Sequence, residues 1–266
     1  MSNQLFTNEL LEICEAAARA GGNELLEWRG KFQAREKGIT DFVTDADLAS
    51  EAAIRRVIAS RFPNHEIIGE EQPPDKFPTE SNQMNWLVDP LDGTTNYMHG
   101  YPHYAISIAI ARGRELLAGV VFDPVAEMCF TATAGRGAKC NGKRMNASAV
   151  TEVGNALVAV SLPARVARDA PDLLDFVDAV QVCQAVRRSG SAALNLAYVA
   201  SGALDAFWAN HIHPWDVAAG VLLVREAGGI VTGRDGGEFN LWSPHFVAAA
   251  TKNLHAGMLK VLAKNA

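Results

Sequence analysis

The strongest constraint on the fold is a run of three apolar segments that begins at His103 and extends to Thr133. Residues 104–113, 116–124 and 127–137 read YAISIAIARG, LLAGVVFDP and EMCFTATAGRG. Apolar and polar side chains alternate in the first segment, and Gly, Pro or Asp bound all three, which is typical of strands joined by tight turns. The region therefore predicts a meander of antiparallel strands.

Two segments before this meander have the periodicity of amphipathic helices. One covers residues 5–28, with Gly21-Gly22 as a point where the helix can be interrupted, and the other covers residues 47–61. Residues 31–36 predict a short strand. Two short apolar runs, at residues 66–68 and 86–88, end directly in acidic residues. Strand ends of this kind are where sites tend to be built.

The second half of the chain alternates between helical and strand patterns. Helices are predicted at residues 172–182, 191–200 and 215–226, and strands at residues 156–161, 203–208, 229–231 and 246–250. The sequence contains no low-complexity stretch, linker composition or fixed-period repeat. We therefore predict one unit with subregions 1–150 and 151–266, between which a division is only weakly marked.

Composition restricts the class of protein. Hydrophobic residues make up 48% of the 266 residues and charged residues 20%, which is unlike disordered, collagen-like or coiled-coil chains. No apolar run approaches the roughly 20 residues that span a bilayer, and the first ten residues do not have the pattern of a signal peptide. We predict a cytoplasmic protein that has no membrane partner.

Charge and cysteine usage exclude further kinds of site. The net charge of −6 argues against a broad nucleic-acid surface, because such surfaces need clustered Lys and Arg. No direct nucleic-acid partner is predicted. The four cysteines form no CxxC pair, so neither a zinc knuckle nor a disulfide framework is indicated. An anionic substrate would need a local offset for the negative charge, and metal ions are the obvious candidates.

Acidic residues stand beside an apolar strand or a turn at five positions: Asp47, Glu70 (with Glu71), Asp89, Asp92 and Asp216. An isolated acid is most often a solvated loop carboxylate or a helix N-cap. At Asp216 the sequence Pro-Trp-Asp also suits an ordinary helix opening, in which the helix dipole favours an acid. The neighbours of Asp89 and Asp92 favour a functional role instead.

Residues 86–96 read WLVDPLDGTTN, so an apolar strand runs into two carboxylates three residues apart. Pro90 stiffens the turn, and Gly93 permits a positive φ. Such a turn can aim both carboxylates at one point, with the Leu91 carbonyl as a third oxygen, and Mg²⁺ prefers hard oxygen ligands. If Thr94 opens a helix or turn, the Gly93 and Thr94 amides form a small anion cradle. This combination indicates metal-assisted phosphoryl chemistry.

Five motifs occur along the chain in a definite order: DFVTDAD at 41–47, GEE at 69–71, WLVDPLDGTTNY at 86–97, GSAALN at 190–195 and PWDVAAG at 214–220. Together they resemble the inositol monophosphatase family of Mg²⁺-dependent phosphatases, and the resemblance spans most of the chain. It implies the family's αβαβα sandwich, a layered α/β (α+β) fold of the inositol monophosphatase or sugar phosphatase kind, with the metal site between the two halves.

The resemblance also implies a metal-ligand set. Glu70, Asp89 and the Leu91 carbonyl would hold one Mg²⁺, and Asp89, Asp92 and Asp216 would hold a second. A third, weaker site would lie near Glu70, so two or three ions per site are expected.

The resemblance further implies roles in catalysis and substrate binding. Glu70 and Thr94 would orient a water that attacks phosphorus in line, without a covalent enzyme intermediate, and Asp47 would be a hydrogen-bond partner of Thr94. A small phosphorylated alcohol would be bound by Asp92, Gly93, Thr94, Gly190, Ser191, Ala192 and Asp216.

One departure from the family pattern concerns the substrate. Many members that act on inositol phosphates carry Glu seven residues before the Asp of the WD motif, where it contacts hydroxyls, and this chain has Ala209 there. Inositol 1-phosphate is the simplest substrate, with histidinol phosphate, fructose bisphosphate, an adenosine bisphosphate or NADP as alternatives. The family also implies a homodimer, to which residues 101–110 could contribute an interface if they do not pack in the core, and inhibition by lithium.

Several other interpretations stay open. GSAALN can be an ordinary helix start, and His211 and His213 with Asp216 can be read as a transition-metal cluster. A β-turn explains residues 135–138 and 141–143 better than a phosphate loop does, and Arg187-Arg188 either attracts an anionic substrate or is a solvated edge.

Two other functions compete with hydrolysis. One is an interaction role with transcription or RNA machinery, as proposed for some bacterial relatives, and the other is a non-catalytic metal-binding module.

Overall fold

The computed structural model of the chain describes residues 2–38, 41–70, 77 and 82–265. The helices in this part of the chain are α1 (Ser2–Trp28), α2 (Asp45–Arg61), α3 (Thr94–Met98), α4 (Pro171–Val182), α5 (Ala192–Ser201), α6 (Pro214–Glu226) and α7 (Lys252–Leu262). The strands of the first half are β1 (Ala34–Gly38), β2 (Asp41–Thr44), β3 (Glu66–Gly69), β4 (Met84–Asp92), β5 (Ala105–Arg112), β6 (Glu115–Asp123), β7 (Met128–Thr133), β8 (Ala138–Cys140) and β9 (Lys143–Met145). Those of the second half are β10 (Leu157–Ser161), β11 (Ala185–Arg187), β12 (Ala206–Ala209), β13 (Ile230–Gly233) and β14 (Phe246–Ala249).

Strands β3 to β9 form a seven-stranded sheet in which each strand pairs with its neighbour in sequence. The β3–β4 pair is parallel, and every other pair is antiparallel. The predicted meander from His103 to Thr133 is thus confirmed as β5, β6 and β7. The β1–β2 hairpin stands apart as its own antiparallel pair.

A second sheet of five strands has the order β11-β10-β12-β14-β13. Strand β10 is parallel to both β11 and β12, whereas β14 is antiparallel to its two neighbours. The first sheet ends at Met145 and the second begins at Leu157. The residues between them carry one short 3₁₀ turn, Val153–Asn155.

Three apolar clusters divide the molecule into layers. Helices α1 and α2 cover the outer face of the large sheet, where Ile108 and Val120 are fully buried. Helices α5 and α6 fill the space between the two sheets, and α4 and α7 cover the outer face of the small sheet. The order is helix, sheet, helix, sheet, helix, so the predicted αβαβα layering is confirmed.

Strand β5 shows how the sequence sets these layers. Its isoleucines at 106, 108 and 110 face α1 and α2, while its alanines at 105, 109 and 111 face the central helices. Alternate side chains of a strand point to opposite faces, so the large residues fill one layer and the small ones admit helices closely on the other. Gly119 of β6 extends this feature, because a Cβ there would lie 3.0 Å from the Cα of Ala219.

Several boundaries differ from the sequence-based predictions. Helix α1 continues through Gly21-Gly22 because both glycines are contact points: a Cβ would lie 2.7 Å from Ser50 at Gly21 and 2.7 Å from Phe122 at Gly22. The strand expected at residues 31–36 lies at Ala34–Gly38. The short strands β2, β8, β9 and β11 and helix α7 had no prediction. Within the described residues no helix combines the length and apolar composition needed to cross a bilayer.

Gly220 tests how tightly the central helices pack. A Cβ at this position would lie 2.4 Å from the Cβ of Leu196 on α5, and overpacking of this kind typically costs about 1–3 kcal/mol. We expect Gly220→Ala to lower the free energy of unfolding, measured by urea denaturation, by this amount. Gly154→Ala is the matched control, because its nearest non-neighbour atom would be 3.8 Å away, and its stability should stay equal or rise slightly. Equal stability for the two variants would contradict the packing described.

Candidate active site

The end of strand β4 brings Asp89 and Asp92 to the same face of the sheet. In a regular strand residues three apart point to opposite faces. Here Asp89 pairs with Ser107 of β5 and Asp92 pairs with Ala105, so β4 carries one extra residue opposite β5. The bulge turns both carboxylates towards the central helix layer. The amide of Leu91 donates to Asp89 Oδ1 over 2.9 Å and fixes the turn.

Asp92 meets the N-terminus of α5. The Ser191 hydroxyl donates to Asp92 Oδ2, and the amides of Ala192 and Ala193 donate to its two oxygens over 3.2 and 2.8 Å. Burial raises the pKa of Asp92 to about 6, and these hydrogen bonds oppose the rise. Ser191 is also the N-cap of α5, because its side chain accepts from the Leu194 amide. The helix start and the Asp92 contact therefore both belong to the GSAALN motif.

Asp216 reaches the same place from the first turn of α6. Its Oδ2 accepts from the His213 amide over 2.9 Å in a capping box. Burial raises the pKa of Asp216 to about 7, and the charge of Asp92 adds to the rise, while a hydrogen bond with the Asp89 side chain opposes it. Asp216 thus opens a helix and also contacts the carboxylates of β4.

Asp89 lies at the centre of this group. It is only 2% exposed, and burial raises its pKa well above the ordinary value, with further contributions from Glu70, Asp216 and Asp92 in that order. Glu70 directly follows β3, whose Gly69 pairs with Val88 of β4. Four carboxylates from three separate stretches of the chain therefore interact electrostatically. Glu71 lies outside the described residues.

The hydroxyl of Thr94 connects the turn to helix α2. Thr94 Oγ1 lies 3.2 Å from the Leu91 carbonyl and 3.4 Å from Asp47 Oδ1. Asp47 is held by a capping box at the start of α2, where the Thr44 amide donates to Asp47 Oδ2 over 2.9 Å. The structure thus places Asp47 and the Leu91 carbonyl within hydrogen-bonding reach of the Thr94 hydroxyl.

Two glycines lie on opposite sides of the site, and each has a backbone conformation that favours glycine. Gly93 has φ of 97° and precedes α3, which begins at Thr94. Gly190 has φ of 87°, and a Cβ there would lie 2.9 Å from the Asn96 side chain. The Asn96 amide donates to the carbonyls of His103 and Ser189 over 2.7 and 2.9 Å. Asn96, which the sequence analysis did not identify, therefore joins the two glycine turns.

A cavity of about 450 Å³ opens beside this group. Of the sequence-predicted site residues, its lining includes Asp92, Gly93, Thr94, Gly190, Ala192 and Asp216. Ser191 lies behind the wall, 1% exposed, because its hydroxyl is used by Asp92. Asp47, Glu70, Asp89 and Leu91 are also not among the lining residues. Among the described residues, no three His, Cys, Asp or Glu side chains are already arranged as a metal-ligand shell.

The opposite wall of the cavity carries cationic and hydrogen-bonding groups. Arg188 Nη2 lies 3.3 Å from the carbonyls of both Leu162 and Pro163. His211 Nε2 lies 3.1 Å from Asp172 Oδ2 of α4, a contact that no local sequence pattern indicates. Ala209 is fully buried at the end of β12 and does not reach the cavity.

The electrostatic repulsion at Asp89 can be measured through its effect on the thermal stability of the protein. We expect Asp89→Asn to raise the thermal unfolding midpoint of the divalent-free protein above neutral pH, because a neutral amide removes repulsion and can donate to Asp216. The rise should be about 2–4 °C for each kcal/mol of repulsion removed. Asp205→Asn is the matched control: Asp205 is also buried, but the Ser148 hydroxyl and the Leu157 amide donate to it, so its midpoint should fall. A fall in both variants would show that Asp89 is not under electrostatic strain.

Comparisons with known proteins place this chain in a family. The model of the inositol monophosphatase family matches residues 7–266. The protein named Nus factor SuhB from Escherichia coli K12 is 41% identical over 244 residues, which cover 90% of each chain.

Two solved structures share the fold. Inositol monophosphatase from Anabaena superposes with a TM-score of 0.85 at 35% identity, with 99% of this chain and 97% of that chain covered. The extragenic suppressor protein SuhB from Bartonella henselae superposes with a TM-score of 0.89 at 33% identity, with coverage of 96% and 99%. The family match over nearly the whole chain, together with these relatives, shows that this chain belongs to the inositol monophosphatase family.

Proposed function

We propose that the chain is a phosphatase that hydrolyses a small phosphate monoester with the help of Mg²⁺, and that inositol 1-phosphate is its simplest substrate. The observation that carries this proposal is the set of four carboxylates gathered beside a cavity, at the turn between β4 and α3. Burial raises the pKa values of Asp89, Asp92 and Asp216, and neighbouring carboxylates add to the rise at Asp89 and Asp216, which is a local excess of negative charge. Divalent cations would remove that excess.

The donor chemistry fits Mg²⁺, which prefers carboxylate and carbonyl oxygens and keeps several waters. We assign Glu70, Asp89 and the Leu91 carbonyl to one ion and Asp89, Asp92 and Asp216 to a second, and we place a third, weaker site near Glu70. When bound, the ions lower the pKa of water and neutralise the charge that develops on the phosphoryl group and the leaving oxygen.

Thr94 is suited to orient the attacking water. Asp47 is held by Thr44 and has an acceptor aimed at the Thr94 hydroxyl. When Thr94 donates its hydroxyl hydrogen bond to Asp47 or to the Leu91 carbonyl, its oxygen is left to accept a hydrogen bond from water. Glu70 would be the second acceptor for that water. Asp47 therefore acts as a positioning residue and Thr94 as a catalytic one.

The two glycine turns form the phosphate and alcohol sides of the cavity. Gly93 and Thr94 present backbone amides at the start of α3, and amides at such a position favour an anion. Gly190 and Ala192, from the α5 side, have no large side chain and leave room for the alcohol. Asp92 and Asp216 lie between these sides, where the ester oxygen would be.

The opposite wall of the cavity affects which alcohol can be bound. Ala209 provides no acceptor for sugar hydroxyls, whereas Arg188 and His211 can both donate hydrogen bonds into the cavity. Histidinol phosphate, fructose bisphosphate, an adenosine bisphosphate and NADP therefore stay candidates beside inositol 1-phosphate.

A second candidate function is an interaction with another macromolecule. It is supported by the name of the curated relatives, Nus factor, which does not describe a hydrolase. Replacing both Asp89 and Asp92 by Asn separates the two functions in cells. A phenotype that survives these changes while phosphate release is lost would assign the essential role to the interaction.

We also propose, from the family, a cytoplasmic homodimer. Most of residues 101–110 are buried within one chain, and Tyr101, 54% exposed, is the large side chain there that is free for an interface.

Magnesium dependence tests the phosphatase proposal. We expect release of inorganic phosphate from one or more of the compounds above with Mg²⁺ and none with EDTA. Asp92→Asn should reduce kcat/KM by more than the roughly 10–100-fold that loss of an outer-shell metal partner costs, whereas Asp205→Asn should leave kcat/KM nearly unchanged at a temperature where it stays folded. Absence of hydrolysis across the whole panel would refute the proposal.

Lithium provides an independent check of the metal assignment. Because Li⁺ can occupy a Mg²⁺ position in this family, we expect turnover to fall in tens of millimolar LiCl and to recover when Li⁺ is removed by dialysis. The same concentration of NaCl is the control for ionic strength. Normal turnover in LiCl would count against the proposed ligand set.

A further inference from the structure

A second cavity lies on the outer side of the large sheet, between α1 and strands β7 and β8. Its volume is about 540 Å³, and its lining includes Asn8, Leu11, Thr131, Thr133, Arg136 and Lys139. None of its lining residues also lines the candidate active-site cavity. We refer to this second cavity as the α1 groove.

The floor of the α1 groove is polar although it is part of a buried sheet face. Thr131 and Thr133 share the β7 face that turns towards α1, where the neighbouring strand β6 carries Ala118 and Val120. Both threonines are nearly buried, at 6% and 4% exposure. Neither hydroxyl has a hydrogen-bond partner among residues 2–38, 41–70, 77 and 82–265. Both threonines line the cavity, so their hydroxyls are open to a ligand or to water in the groove.

The rim of the groove carries cations that lack acidic partners. Lys139 is the β8 residue opposite Thr131, so its side chain lies on the same face. Arg136 contacts the neutral side chain of Asn8, with Nη1 3.2 Å from Oδ1. Within the part of the chain that the structure describes, neither Lys139 nor Arg136 forms an ion pair. The chain as a whole has a net charge of −6, whereas these two cations give the rim of the groove a local positive charge beside two free hydroxyls.

The turn that carries Arg136 is held in place by helix α6. The amides of Gly135 and Gly137 donate to the two carboxylate oxygens of Glu226, each over 2.7 Å. Arg136 stands between these two anchored residues, so the backbone that presents its guanidinium is fixed before any ligand arrives. Preorganised donors lose less entropy on binding than mobile ones.

A smaller cavity of about 180 Å³ continues the groove along α1. It shares Leu11, Thr131 and Lys139 with the larger one and adds Arg19 and Glu15. Arg19 lies over the Phe122 ring, 5.2 Å from its centroid. The extension therefore offers a third cation beside one acid, together with the apolar side chain of Leu11.

We propose that the α1 groove is a binding site for a small metabolite that carries a phosphate group. The phosphate would lie between the Thr131 and Thr133 hydroxyls on the floor and Lys139 and Arg136 at the rim, since phosphate oxygens accept several charge-assisted hydrogen bonds at once. The rest of the metabolite would extend past Leu11 towards Arg19. A cavity of limited volume in an acidic protein favours a small ligand over a nucleic acid, which needs an extended basic surface.

Pyrophosphate is the probe, and the protein is used free of divalent cations with EDTA present. Under these conditions the uncompensated carboxylates of the candidate active site repel anions. We expect saturable binding by isothermal titration calorimetry. The double variant Arg136→Gln/Lys139→Gln should weaken it at least tenfold, and Thr131→Val should weaken it several-fold because it removes only the hydroxyl. Adenosine 5′-monophosphate, titrated in parallel, reports whether an organic portion adds affinity.

Two controls make the outcome specific. Arg114→Gln/Lys252→Gln has the same charge change at exposed positions outside the groove and should leave binding within about twofold. Arg188→Gln reports on the candidate active site and should also have little effect. Thermal midpoints close to that of the parent chain would show that the variants are folded, and phosphatase activity needs no measurement in this experiment.

Three results would overturn the proposal: no saturable binding of either probe to the parent chain, an equal loss in both double variants, or a loss confined to Arg188→Gln. A single-stranded RNA oligonucleotide that binds through Arg136 and Lys139, when neither small probe binds, would also overturn it and assign the groove to nucleic acid.

Discussion

Mutual repulsion among the carboxylates near the end of β4 is the constraint on which the candidate active site depends. Asp89 lies in the interior with Glu70, Asp92 and Asp216 close enough to raise its pKa. Folding gathers like charges at a cost, and the structure reduces that cost with hydrogen bonds from the α5 amides to Asp92 and from the His213 amide to Asp216. Such an arrangement lowers stability, and it supports the divalent-cation site that we propose.

Helix α6 connects the separate parts of the structure. Its first turn supplies Asp216, its small residues pack against β6 and α5, and its last residue, Glu226, holds the turn that presents Arg136. Because α6 is packed between the two sheets, these contacts are made on one rigid element. The candidate active site and the α1 groove thus share a support while they lie on different faces of the large sheet.

The two walls of the active-site cavity have different chemistry. The wall formed by β4, α3 and the start of α6 is acidic and suits cations and phosphate. The wall formed by Arg188 and His211 carries donors, and Ala209 gives it no acceptor. The first wall is formed by the motifs that carry the family resemblance. We propose that the choice of substrate depends on the second wall, whose Asp172–His211 contact arises from residues 39 positions apart.

Local patterns were sufficient for the meander, the positions of most helices and the identity of the acidic residues. Alternation along β5, helical periodicity in α2 and the WLVDPLDGTTN run are all properties of neighbouring residues, so the sequence alone determined them. The family resemblance supplied the αβαβα layering and the grouping of Glu70, Asp89, Asp92 and Asp216. Where local pattern was weak, prediction was also weak: β8, β9 and β11 have three residues each, too few for periodicity to show.

Only the tertiary structure decided the continuity of α1 through Gly21-Gly22, the burial of Ser191 behind Asp92, the bridge made by Asn96, and the union of Thr131, Arg136 and Lys139 with α1 in one groove. Each depends on a contact between residues far apart in the chain, such as Ser191 with Asp92 or Arg136 with Asn8. The sequence specifies which side chains are available and which face of a helix or strand they share. Which of them meet is set by the packing of layers, because distance in space is not encoded in the local pattern of residues.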